Sequence, residues 1–188
     1  MTSEILTTQQ KQDQVRGWLN AANIPPAFWN MTPAKLGEPA CTMVNNYIMK
    51  DYPAEKLAGR GLILSGPAPI RAKMFVSLAR TLVLQTDAVY FTSLHGFLEA
   101  FEFENGKRYE DIIKCQALFV FGFYDKALDF PYDGYKRGKI EQALYMHSSS
   151  GRRLYLSSDM PLATIKWWSA DFKQMLSAFV QELPCPLK

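Results

Sequence analysis

Gly61-Leu-Ile-Leu-Ser-Gly-Pro-Ala-Pro-Ile-Arg-Ala-Lys73 is the stretch on which the reading of this chain turns. Gly61–Ser65 is a short apolar run, a Gly-Pro turn follows, and the residues from Arg71 to Gln85 have helical spacing. Strand, turn and helix in that order are the frame of a phosphate-binding loop, which reads Gly-x-x-x-x-Gly-Lys-Ser/Thr. In such a loop the glycines let backbone N–H groups approach the phosphates, the Lys neutralises them and the hydroxyl holds magnesium. Gly66 supplies the first glycine. Counted without a gap, the second glycine is Arg71, the Lys is Ala72 and the Ser/Thr is Lys73. Pro67 and Pro69 remove two further backbone donors. The stretch predicts the scaffold of a nucleotide site without its chemistry.

Outward from this stretch, apolar runs alternate with helical spacing. Ala88–Thr92, Ala117–Phe121 and Arg153–Ser157 read as further strands, and Leu94–Phe103 and Lys139–His147 as helices. Residues 165–183 read as a closing helix or helix pair. Continuous apolar strands separated by helices predict an α/β fold, a parallel sheet of four or five strands covered on both faces. No segment is assignable to the fifth strand. Upstream, Thr8–Ala22 reads as a polar helix, broken by the paired prolines after Ile24, and Pro39–Lys50 as a second helix. The expected division is a helical extension over residues 1–55 packed on an α/β domain over 56–188.

Composition bounds the rest. The 188 residues are 48% hydrophobic and 21% charged, as in ordinary globular domains. No apolar run approaches the roughly 20 residues of a membrane span, and no signal-peptide core follows Met1. Cys41, Cys115 and Cys185 are too widely spaced for a zinc set or a disulfide framework, so a reducing cytoplasm is expected, with no metal or other cofactor. His95 and His147 stand apart from any ligand set and read as structural. A net charge of +3 permits nucleic acid without requiring it.

Several segments together are similar to the DnaC/IstB-like helicase loaders of the AAA+ group, over most of the chain. Asn23-Ile-Pro-Pro-Ala-Phe28 resembles the lead-in to their ATPase core, and Gly61–Lys73 sits where Walker A belongs. Asp111–Phe121 resembles the run into Walker B. Lys139–His147, Ser148-Ser-Ser-Gly-Arg-Arg153 and Leu154–Asp159 resemble the helix, turn and sensor-1 strand. The resemblance implies a P-loop, AAA+-like core, here without the helical lid domain. It also implies as partner a replicative helicase, or another replication or transposition protein, and DNA.

The departures from that pattern point away from hydrolysis. The Walker B acidic pair falls on Gly122 and Phe123, with Asp125 beyond the strand end. The sensor-1 Asn is Asp159, the arginine-finger region falls near Lys173 and Ser177, and no arginine follows Arg153. Phosphoryl transfer depends on positioned charge and metal, so these losses predict a pseudo-ATPase whose nucleotide site, Gly66, Pro67, Arg71, Lys73 and Asp159, is degenerate. Arg71 and Lys73 read as solvated charges, against the rival reading of phosphate binding at a helix N-terminus. Phe123 and Tyr124 are expected to fill the emptied pocket. Tyr132–Lys139 reads as a loop in which Tyr135, Lys136, Arg137 and Lys139 contact nucleic acid, extended by Lys107, Arg108, Arg152 and Arg153; the alternative is a solvated cluster. Glu99, Glu102 and Glu104 read as a solvated face. Trp167, Trp168 and Phe172 read as core or as a partner-binding face. An active loader or transposition regulator with a divergent ATP site and a structural subunit of a larger nucleoprotein complex are the two alternatives. A frame kept without its engine suits a phage or mobile element.

Overall fold

A computed structural model describes residues 7–85, 87–102, 106–124 and 134–186. Helix α1, Thr8–Ala21, starts on a capping box: Gln10 N donates to the Thr7 hydroxyl at 3.2 Å and Thr7 N to the Gln10 side chain at 2.7 Å. Helix α2, Glu38–Asn46, runs through a π turn, Tyr47–Asp51, into α3, Tyr52–Ala58. Pro53 explains the widened turn, because it has no N–H to return to the Met49 carbonyl. Strand β1, Gly61–Ser65, leads into α4, Ala68–Leu84; β2, Val89–Ser93, into α5, Leu94–Glu102. Then come α6, Lys107–Lys114, and β3, Ala117–Tyr124. Helix α7, Gly134–Ser149, precedes β4, Arg153–Ser158, and α8, Ala170–Phe179, precedes β5, Val180–Pro184.

The five strands form one sheet in the order β2-β3-β4-β1-β5, with every pair parallel. Alternate residues of each strand enter opposite cores, which is why the strand runs are apolar without interruption. Leu62, Leu64, Phe91, Phe119 and Tyr155 face the core that also holds Leu19, Tyr47 and Phe75. Ile63, Tyr90, Leu118, Val120 and Leu156 face Phe97, Ile140, Trp168 and Phe172. The fifth strand corrects the expectation of a helix to residue 183: Val180 to Pro184 pair with Gly61 to Ser65.

Both margins of the sheet are occupied or blunted. At β2, Phe91 N donates to the Ala22 carbonyl at 2.9 Å, and the Asn23 side-chain amide donates to the Phe91 carbonyl at 2.8 Å. Asn23 holds a left-handed φ of 57°, which turns the lead-in segment onto that margin. At β5, Cys185 N donates inward to Ser65 O at 2.6 Å, so the preceding amide, that of Pro184, is the one turned outward, and it has no N–H. No helix among the described residues is long and apolar enough to cross a membrane.

Candidate functional site

The carboxyl ends of β1, β3, β4 and β5 meet at one rim, the position at which open parallel sheets hold ligands. Gly66, at the end of β1, has a φ of 138°, and a Cβ there would lie 2.9 Å from the Cβ of Cys185. Only glycine lets the chain after β5 lie over this loop. The Gly66 N–H donates to the Ser158 carbonyl at 3.0 Å. Pro67 alone separates Gly66 from α4, so the helix begins a turn earlier than the sequence predicts. Pro69 sits at the second helical position, where an N–H has no intrahelical partner. Residues 68–70, counted as loop, are helix.

Arg71 is buried, at 0% exposure, and its guanidinium turns back to donate to the Gly66 carbonyl at 2.5 Å. The expectation of a solvated Arg71 is thereby corrected. Burial pushes the neighbouring Cys185 thiol up to about 11, and the Arg71 charge pulls it the other way. Lys73 is exposed.

At the end of β3 the register with β4 slips between Val120 and Tyr124, where Gly122 has a φ of 69°. The bulge turns the strand end so that Phe123 enters the core. Its ring stacks on Trp168 with centroids 4.5 Å apart and planes 5° from parallel, and Phe172 lies 6.4 Å away. Trp168 and Phe172 are therefore buried core and not a partner-binding face; Trp167 is half-buried against Trp168. Asp159 N donates to the Tyr124 carbonyl at 3.1 Å, joining the ends of β3 and β4. Lys173, near the finger position, donates to the Ile165 carbonyl at 3.1 Å, and the Ser177 hydroxyl to Gln174 O at 2.6 Å. Asp125, Tyr132 and Glu104 lie outside the described residues.

The predicted basic residues do not form one patch. Tyr135, Lys136, Arg137 and Lys139 lie on the first turns of α7, not in a loop, and Tyr135 is 70% exposed with the Lys139 ammonium 4.9 Å from its ring centre. Lys136 pairs with Glu102 at 3.4 Å, and Arg137 donates to the Trp167 carbonyl at 3.3 Å. Arg152 follows the other end of α7, a 16-residue helix and so about 24 Å long. Lys107 and Arg108 are exposed on α6, Arg108 with Glu99 at 3.8 Å. His95 also meets Glu99, at 3.1 Å, and buried His147 contacts the Arg153 carbonyl. Among the described residues no cluster of His, Cys, Asp or Glu could hold a metal.

Arg153 is corrected outright. It is buried, donating to Asp87 at 2.9 Å and to the Tyr52 hydroxyl at 2.8 Å. Lys56 reaches the same carboxylate at 2.6 Å, and the Tyr52 hydroxyl donates to it as well. This network ties α3 to β4 at the amino ends of the strands, far from the Gly66 rim. Sequence reasoning passed over Asp87 and Tyr52, because their partner lies 66 and 101 residues away.

Among solved structures, the fold is similar to a protein from Streptococcus pyogenes serotype M3 described as a primosome component. The identity is 14% and the TM-score 0.65, over 94% of this chain and 97% of that one. The DnaC helicase loader is similar at 10% identity and a TM-score of 0.62, over 86% and 100% of the two chains. AMPPCP-bound DnaA from Aquifex aeolicus is similar at 11% identity and a TM-score of 0.64, over 88% of this chain and 52% of that one. At these identities the likeness establishes the fold alone: a five-stranded parallel α/β core like those of the helicase loader and of DnaA. No protein-family model and no curated protein matches the chain.

Proposed function

We propose that this protein is a catalytically inactive relative of the helicase loaders that acts by occupying a partner, recruiting or blocking it. The observation that carries this reading is the buried Arg71, whose guanidinium bonds the Gly66 carbonyl inside the loop that would cradle a phosphate. The early start of α4 supports it, leaving Pro67 as the loop. So does Phe123, a ring stacked on Trp168 where an acidic residue would polarise water. Without a hydrolysis cycle the effect of the protein comes from binding alone. Its partner is a replicative helicase or another replication or transposition protein, and DNA, if contacted, meets Tyr135 and Lys139.

Phosphate release with and without single-stranded DNA tests the first half. The expected result is no turnover above a blank and no saturable change in melting temperature with ATP. Turnover abolished by Lys73→Ala would instead establish the active-loader alternative. For the second half, light scattering after mixing with the host's replicative helicase should show a complex. Fluorescence anisotropy with a DNA oligomer should show binding whose salt dependence flattens in the Tyr135→Ala/Lys139→Ala variant.

A further inference from the structure

A cavity of about 450 Å³ opens at the amino ends of β2 and β3, away from the Gly66 rim, between α1 and α6. Its walls include Trp18, Tyr90, Asp111, Lys114 and Cys115. Helix α1 is polar and buries only Leu19, yet it presents to this cavity an indole that is 40% exposed. The Trp18 indole N–H has no hydrogen-bond partner among the described residues, whereas that of Trp29 donates to the Ile24 carbonyl at 2.7 Å.

Most of the charges around the cavity are already engaged in ion pairs. Asp87, also on its wall, is neutralised by Arg153 and Lys56. Lys114 pairs with Glu110 at 2.7 Å, and Arg108 with Glu99. Arg152 lies near enough to influence the Cys115 thiol but makes no ion pair with Asp111. The Asp111 carboxylate has no ion pair and no side-chain hydrogen bond among the described residues. A carboxylate with no direct ion-pair partner, the Lys114 ammonium within electrostatic reach of it, therefore stands beside an exposed aromatic face. The rest of the wall is apolar or neutral: Ala22 and Val83 line it, and burial pushes the Cys115 thiol up to about 12.

We infer that this cavity binds a planar cation of the guanidinium or amidinium type, with its flat face on Trp18 and its paired N–H groups on the Asp111 carboxylate. A carboxylate accepts two parallel N–H bonds from such a group, and an indole face attracts it. An anion would meet the Asp111 charge, and a simple ammonium lacks the flat face. The volume lies within the few hundred cubic ångströms of small-ligand sites. The same chemistry comes from a free aryl amidine or from an arginine side chain of a protein.

The test is a ¹H–¹⁵N titration of the full chain, read at the Trp18 indole cross-peak, which is identified by its loss in Trp18→Phe. Benzamidine is one probe and acetyl-Gly-Arg-Gly-amide the other, at constant ionic strength. The expected result is a saturable shift of that peak, weakened roughly tenfold or more in Asp111→Asn and in Asp111→Ser, the loss of a charge-assisted pair. Both variants should melt as the parent does, because the carboxylate bonds to no other group. Saturation by benzamidine alone assigns the cavity to free small cations; tighter binding of the peptide assigns it to arginine. No shift by about 10 mM of either probe, or equal affinity in the Asp111 variants, overturns the inference.

Discussion

Replacing Asp87 with Asn leaves Arg153 buried without its counter-charge. Both side chains are 5% exposed, so water cannot take over the lost interaction. Removing one partner of a buried pair costs about 3–5 kcal/mol, and because Asn keeps one acceptor we take the low end, about 3 kcal/mol. In a domain of this size that corresponds to a fall in melting temperature of about 6–12 °C. Urea denaturation followed by circular dichroism measures it directly. The double variant Asp87→Asn/Arg153→Met should recover part of the loss, since it removes the stranded cation. The pH dependence follows from the carboxyl itself. Burial pushes Asp87 up, but hydrogen bonds from Arg153, Lys56 and Tyr52, with the Arg153 charge, hold it below its usual value. On acidification the unfolded chain therefore takes up the proton first, and the stabilisation is full above the unfolded value of about 3.9. The gap between parent and Asp87→Asn should be flat from neutral pH to about 5 and close as pH falls below about 4. A gap under about 0.5 kcal/mol at neutral pH, or one that persists unchanged in acid, would refute the reasoning.

Phe123→Asp, which restores an acid to the Walker B position, should yield no ATPase activity and lose about 3–5 kcal/mol, since it buries a carboxylate against the Trp168 ring; hydrolysis in this variant would count against the inactive reading. Gly66→Ala should cost about 1–3 kcal/mol in denaturant unfolding, from the φ of 138° and the approach of Cys185. At Asn23, →Gly removes only the side-chain bond to Phe91, about 1 kcal/mol, while →Ala adds left-handed strain of about 1–2 kcal/mol. Equal melting of the two Asn23 variants would remove strain from the account.

The order of strands and helices was legible because both faces of the sheet are covered, which makes each strand a run of apolar residues. Residues 180–184 were not, because Val180 continues the spacing of Phe172, Leu176 and Phe179, and the chain leaves the helix only to pair with β1. Gly134 and Gly138 hid the start of α7, since both weigh against a helix locally. At the candidate site, the missing phosphate-loop and acidic residues could be counted directly. What could not be counted was where Arg71 and Arg153 point. An arginine is read as surface by default, and its burial rests on groups distant in sequence or on the fold of its own loop. Trp168 and Phe172 carried the same ambiguity in reverse, until the bulge at Gly122 brought Phe123 onto them.

The occupied and blunted margins of the sheet have a consequence for life in a crowded cell. A parallel sheet with bare sides invites any passing strand, and repeated pairing of that kind leads to fibres. Here Asn23 and Ala22 take up the backbone groups of Phe91 on one side, and Pro184 offers no donor on the other. Growth of the sheet by stacking copies side by side is thus discouraged at both ends.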